Sequence, residues 1–204
     1  MDKIDFKKDF KELYGASITT PSLVNVPRLK FLMIDGKGEP NNSVEFQNAV
    51  EALYGLSFTI KFDLKKEGTT PAYSVAPLEG LWWMANGKPF NMQAKNQWRW
   101  TLLIAQPAHI KDTYVIRAMK KLRAKKSYLA LEHVRFDSFE EGRCVQILHI
   151  GPYAEEAPTI ALLHAFAKQH HYKLHGKHHE IYLGDPRRAK PEKLRTILRH
   201  PVSV

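Results

Sequence analysis

The sequence predicts a mixed α+β fold made of two βαββ units. Three observations predict it. First, FLMIDGKG, a helix, YSVAPLEG and WRWTLLIAQP run strand, helix, strand, strand. Second, the same order recurs in VQILHIGPY, a helix, HHEIYLGDP and LRTILRHPV, a weak internal repeat. Third, a basic helical stretch, 112–126, joins the half at about 29–106 to the half at about 131–202. At 204 residues, 44% hydrophobic and 11% aromatic, the chain 1–204 is expected to form one domain whose halves share a core. A pseudo-two-fold pair of such units would hold its ligand in a groove where the halves meet.

Each element has a local cause. Residues 1–20 form a short amphipathic segment ending at Thr19-Thr20-Pro21. Residues 29–34 are a strand, closed by a turn with Gly36 and Gly38. Asn42 with Glu45 makes a capping-box start for a helix carrying Phe46, Ala49, Val50, Leu53 and Tyr54, which Gly55 is expected to end. Residues 58–62 fit either a continuation of that helix or a short strand. A polar loop at 65–70 leads to a strand at 73–83, interrupted at Pro77, and to another at 95–106, with Trp98 and Trp100 on one face. Asp112 starts a helix with Val115, Met119 and Leu122 on one stripe. Residues 131–139, with Val134 and Phe136 in phase, and 143–150 are strands, the second ended by Gly151-Pro152. Pro158 suits a first helical turn, and Ile160, Leu163, Phe166 and Ala167 follow at helical spacing. The strand 178–183 is stopped by Gly184-Asp185-Pro186, and a last strand, 194–199, ends before Pro201.

Composition removes several function classes. Thirty-one Lys and Arg against 21 Asp and Glu give a net charge of +10, but it is dispersed apart from the run 120–126. That run suits a solvated helix C-terminus, so no direct nucleic-acid binding is expected. No apolar run approaches the ~20 residues of a membrane span, and the charged N-terminus lacks an apolar signal core, so a cytoplasmic protein is expected. The single Cys144 excludes an internal disulfide and a cysteine metal cage, and it suits a small buried hydrophobe. His170, His171, His175, His178 and His179 give no three-ligand spacing, and adjacent strand histidines point apart, so neither a metal nor a cofactor is expected. Asp35-Gly36-Lys37-Gly38 lacks the phosphate-loop pattern.

The stretch HHEIYLGDP carries the candidate chemistry. Strand alternation puts His178, Glu180 and Tyr182 on one face and His179, Ile181 and Leu183 on the other, which is more apolar and expected to face the core. A mid-strand carboxylate needs a wet, paired or functional setting, and local sequence leaves these open. Beside aromatic surface the pKa of Glu180 should rise, making it a general base for water or a counter-ion for a cation. Tyr182 could donate to a developing oxyanion or be an interface tyrosine with a wet hydroxyl. In the repeat, 73–75 is the counterpart of the Glu180 strand, so Tyr73 and Glu180 are expected to face each other across the groove. Trp82 and Trp83 are adjacent and cannot face the same way, so one should line the groove while the other packs. Tyr114 and Tyr153 are further candidates for the lining.

FLMIDGKGEPN with FQNAVEALYGLSF, YSVAPLEGLWW, GRCVQILHIGPYAEEAPTI, and HHEIYLGDPRR with TILRHPV together resemble the GyrI-like small-molecule-binding proteins. More narrowly, they resemble the stand-alone subgroup that includes the cyclopropanoid cyclopropyl hydrolases. The resemblance runs from about residue 29 to residue 202. It implies a tandem βαββ fold with antiparallel sheets, helices on one side and a central aromatic groove for bulky cationic or planar compounds. It implies Glu180 as the polar anchor, Trp82, Trp83 and Tyr153 as aromatic lining, and Glu155 and Glu156 as further acidic candidates. For the hydrolase subgroup it implies opening of the strained cyclopropane of DNA-alkylating compounds, a detoxifying role. No helix-turn-helix segment flanks the repeat, unlike the regulator members. Two other functions fit the same sequence: sequestration of cationic aromatic compounds without chemistry, and a protein-interaction role such as inhibition of a DNA enzyme.

Overall fold

The computed structural model describes residues 3–41, 43–88, 94–125, 130–184 and 189–204. In chain order its elements are α1 (Phe6–Asp9), α2 (Lys11–Tyr14), β1 (Ser22–Val26), β2 (Leu29–Lys37), α3 (Val44–Glu67), β3 (Leu78–Met84), β4 (Trp98–Gln106), α4 (Asp112–Lys125), β5 (Arg135–Phe139), β6 (Gly142–Ile150), α5 (Ala157–Gln169), β7 (Lys173–Leu174), β8 (His178–Tyr182) and β9 (Arg195–Ser203). The fold is α+β with antiparallel strand ladders. Among the described residues no helix is long and apolar enough to cross a membrane.

The chain divides into two compact units. The first comprises Met1–Phe6, Leu29–Ala76 and Trp83–Phe139. Its strands run in the order β5–β2–β4, with α3 packed on β2, β4 and α4. Gly36 of β2 lies opposite Trp100 of β4, and the indole covers the glycine so closely that a Cβ there would sit 2.1 Å from the ring. The edge of Phe46 closes over the same indole at 5.2 Å between ring centres. Trp98 and Trp100 are both buried, as sheet-packing residues should be.

Helix α3 runs through Gly55 and 58–62, well past the expected end. The buried stripe Ala49, Ala52, Leu53, Leu56, Ile60 and Leu64 continues at helical spacing, and its burial outweighs the ~1 kcal/mol that a mid-helix glycine costs. Gly68, at φ +67°, ends the helix and returns its N–H to the Leu64 carbonyl at 3.0 Å. Ser43 is the N-cap, its hydroxyl accepting from the Phe46 N–H at 3.1 Å; Asn42, expected in that role, lies outside the described residues. Four other boundaries also move. β3 starts after Pro77, and Tyr73 makes only an isolated parallel bridge with Ile4. The starts of the strands expected at 95 and 131 are single 3₁₀ turns, Lys95–Gln97 and Leu131–His133. β9 continues through Pro201, whose carbonyl still accepts from the His175 N–H at 3.1 Å.

The second unit comprises Lys7–Arg28, Pro77–Trp82 and Glu140–Val204. Its sheet order is β1–β6–β9–β8 and then the Leu78–Trp82 part of β3, with β7 paired to β9. Helix α5 covers one face over a core of Val145, Ile147, Leu163, Ala167, Leu198 and Val202. The segment containing α2 is tied to the other face: Gln146 donates to the carbonyls of Glu12 at 2.7 Å and Gly15 at 3.1 Å. β8 is therefore buried on both sides, whereas its sequence suggested one apolar and one wetter face. His178, His179, Glu180 and Ile181 are all buried.

Candidate functional site

The register of β3 against β8 builds the site. Gly80 lies opposite Glu180, Leu78 opposite Tyr182 and Trp82 opposite His178, so all six residues share one face. A Cβ on Gly80 would come within 2.7 Å of the Trp82 Nε1 and 3.0 Å of the Tyr182 hydroxyl. The missing side chain is what lets indole and phenol meet over the strand. Trp82 donates to the Tyr182 hydroxyl at 3.2 Å, and that hydroxyl donates to Glu180 Oε2 at 2.7 Å. On the other carboxylate oxygen, His178 Nε2 lies 3.3 Å from Oε1. Gly80→Ala is thus expected to separate Trp82 from Tyr182; a changed tryptophan fluorescence, with a melting temperature lowered by a few degrees, is the expected result.

A second group reaches the cluster from the turn before α5. His149 fixes this turn, with Nδ1 2.9 Å from the Thr159 hydroxyl and Nε2 3.3 Å from the Pro152 carbonyl. The turn sets the Tyr153 ring edge-on to Tyr182, 5.6 Å between centres. It also separates two adjacent acids: Glu155 is exposed and Glu156 is buried. Among the described residues Glu156 Oε1 has no hydrogen-bond partner. Burial, and then the charge of Glu180, push the Glu156 carboxyl up to about 10, so it is a neutral acid at pH 7. Burial and the Glu180 charge also hold the Tyr182 phenol well above its usual value, which keeps it a donor. The site thus presents a proton-carrying carboxyl beside a hydrogen-bonded carboxylate, within aromatic surface.

Of the residues singled out in the sequence, Glu180, Tyr182, Glu156, Trp82 and Tyr153 come together in the second unit. Trp83, Tyr73 and Tyr114 belong to the first unit. Tyr73 is buried edge-on to His109 at 5.8 Å, and Tyr114 lies under the Arg117 guanidinium at 5.5 Å. Cys144 is buried, which pushes its thiol well above the usual range. Among the described residues no group of three or more His, Cys, Asp and Glu side chains is arranged to hold a metal ion. His164, His178 and His200 do cluster, with ring centres 5.4 and 6.2 Å apart. Burial drives His200 down to about 3 and lowers His164.

The opposite face of β8 holds a network that the sequence did not signal. His179 Nδ1 is 2.9 Å from Glu141 Oε2, and its Nε2 is 3.0 Å from Glu79 Oε2. Carboxylates only accept, so both ring nitrogens donate and His179 is an imidazolium. Burial alone would lower its pKa, but Glu141 and Glu79 outweigh that and raise it to about 9. Burial likewise works against ionised Glu141, yet His179 and Arg199 hold it below the usual carboxylate range. Arg199 donates through Nε and Nη2 to Gln146 Oε1 at 3.1 and 3.0 Å, and through Nη2 to the Leu13 carbonyl. Tyr14 donates to Glu79 Oε1 at 2.7 Å. Two acids and two cations balance in charge and pin the α2 segment to the sheet. The available signal was the polar residue in each of four strands: Glu79, Gln146, His179 and Arg199.

Residues 19–203 match the GyrI-like small-molecule-binding domain. A conserved Listeria innocua protein of known structure is 40% identical, with 98% of this chain and all of that chain covered and a TM-score of 0.91. A hydrolase from Listeria innocua is 39% identical, with 99% of this chain and all of that one covered and a TM-score of 0.89. The C-terminal domain of EcmrR shares the fold at 12% identity and a TM-score of 0.55, covering 90% of this chain and 97% of that one. No curated protein is significantly similar to the chain. The chain belongs to the family of GyrI-like small-molecule-binding domain proteins.

Proposed function

We propose that this protein hydrolyses reactive cyclopropanoid small molecules of the DNA-alkylating kind. The observation that carries this reading is the pair of buried carboxyls, Glu156 protonated and Glu180 held by Tyr182, on one aromatic-lined face. Such a pair supplies an acid and a base at the same pH. The likeness to a hydrolase at 39% identity over nearly the whole chain supports the same reading.

The chemistry balances without a cofactor. Glu180 takes a proton from water as the water oxygen bonds to the less hindered cyclopropane carbon. The C–C bond to that carbon breaks, and its electron pair passes into the conjugated dienone, whose carbonyl oxygen becomes a phenolate. Glu156 gives that oxygen its proton, and the proton on Glu180 then returns to Glu156. In this scheme Tyr182 orients Glu180, since its own proton is already directed there. Trp82 and Tyr153 hold the flat substrate by stacking. Binding of cationic aromatic compounds without turnover is a second reading, favoured by a carboxylate set among aromatic rings.

Incubating the protein with a cyclopropane-bearing dienone and following the dienone absorbance separates the two. Catalytic loss of absorbance, with a water-addition product, is expected. Saturable binding with no product would replace the first reading by the second.

The raised pKa of Glu156 gives a further prediction. The native state keeps this proton up to about pH 10, whereas the unfolded chain loses it near 4.5. Stability therefore falls as pH rises across that window, by up to about 1.4 kcal/mol per unit from this group. Glu156→Gln is expected to flatten urea-midpoint data between about pH 5 and 9 by close to one proton and to remove turnover. A variant with an unchanged slope would mean that Glu156 is ionised in the folded protein.

A further inference from the structure

Helix α3 carries a row of aromatic rings on its outer face, two of them largely exposed. Tyr54, Phe58 and Phe62 stand at i, i+4 and i+8 and stack in a row, with ring centres 6.2 and 6.1 Å apart. Phe58 is 41% and Phe62 56% exposed. The Lys61 ammonium lies 5.7 and 5.6 Å from the centres of those two rings. Glu51 and Lys65 continue the stripe at either end, at the seven-residue spacing of a helix-pairing seam, and Gly55 lies between Glu51 and Phe58. An outward stripe of large aromatics is expensive to leave in water and marks an interaction surface. The core stripe of the same helix is already satisfied by Leu53, Leu56, Ile60 and Leu64.

We propose that this face of α3 is where two copies of the chain pair, antiparallel and centred on Phe58. The stripe is complementary to itself in that register. Phe58 meets Phe58 of the second copy, and Tyr54 meets Phe62. Gly55, whose lack of a side chain allows close approach, meets the long stem of Lys61. Glu51 meets Lys65. A two-fold pairing needs one surface to satisfy itself in this way, and the stripe carries an acid toward its start and bases toward its end to do so. A nucleic acid would instead draw on several cations around the rings, whereas Lys61 lies against Phe58 and Phe62 themselves. The neighbouring α4 cations are engaged within the unit: Arg117 with Glu67 at 2.6 Å, and Lys121 with Asp63.

Sedimentation velocity from about 1 to 200 µM tests the surface. The expected wild-type result is a mass of two chains at the upper end, and a single chain of 23.5 kDa throughout for Phe58→Glu, which sets two carboxylates against each other at the centre. Lys65→Glu should weaken pairing several-fold, and adding Glu51→Lys should restore it, because the swap re-forms the pair in this register only. Phe58→Cys should link two chains through a disulfide under mild oxidation, the native Cys144 being buried. A wild-type chain that stays single at 200 µM, with no link in Phe58→Cys, would overturn the proposal. So would a dimer untouched by Phe58→Glu, or nucleic-acid binding that this substitution abolishes in a chain that never pairs.

Discussion

Glu180→Gln is expected to leave the protein folded and to lower hydrolysis of a cyclopropane-bearing dienone by about 10²–10⁴-fold, the usual contribution of a positioned base. The amide is nearly the same shape and can still accept the Tyr182 proton, so the Trp82–Tyr182 arrangement should persist. What it cannot do is take a proton from water. Affinity for a flat, unreactive analogue should change little, placing the loss in kcat rather than KM. The substitution also removes a charge that helps keep Glu156 protonated. The alkaline stability of the variant should therefore show Glu156 titrating at a lower pH than in the wild type. Turnover within a few-fold of wild type would remove Glu180 from the role of base.

Much of the fold was legible because periodicity records burial. The order of strands and helices in both βαββ units, the Trp98 and Trp100 packing face, and the hydrophobic stripe of α5 all follow from it. Gly55 reads as a helix stop in sequence, while the buried positions 56, 60 and 64 of α3 continue on the far side of that glycine. Alternation within β8 placed Glu180 and Tyr182 together on one face, and Trp82 joins them only through the register of β3. Gly80 gave no sign of its part, because a glycine reveals its use only when the side chains that cross it are known. Glu156 and Glu155 are neighbours in an exposed-looking turn, and sequence could not say which of them turns inward.

The charged network shows the limit most clearly. Glu79, Glu141, His179 and Arg199 are spread over 121 positions of sequence, each looking like an isolated polar residue beside a strand core. His179 shares its face with Ile181 and Leu183, which the sequence alone reads as the core-facing side. In the structure both faces are buried, the apolar core under α5 lies on the Glu180 face, and the His179 face holds an imidazolium between two carboxylates. Burial of charge in this form needs every partner present, and the partners come from β3, β6, β9 and the α2 segment. Strand pairing, which a single sequence does not contain, decides whether they meet.

Removing one member of that network should therefore cost more stability than any other single polar change. Glu141→Gln leaves His179 with one carboxylate and Arg199 without its only acid among the described partners. Breaking a buried ion pair costs about 3–5 kcal/mol, because the surviving charges stay desolvated. For a chain of this size that is a fall of roughly 6–20 °C in melting temperature. The pH dependence has a definite sign. The folded pKa of His179 is raised from 6.5 to about 9, so its stabilisation is complete below about 6.5 and is lost as pH rises through 9. Glu141 is lowered from 4.5, so its contribution is present above 4.5 and lost as pH falls. Glu156 adds a second decline above 4.5. All three together place the stability maximum well on the acid side of neutrality, at about pH 4.5, where the gain from Glu141 levels off and the loss from Glu156 takes over. Urea midpoints taken every half unit should peak there, and His179→Gln should flatten the decline between about pH 6.5 and 9. A wild-type midpoint that rises from pH 6 to 9, or a Glu141→Gln protein within 1 kcal/mol of wild type, would mean that the network is not charged as its geometry requires.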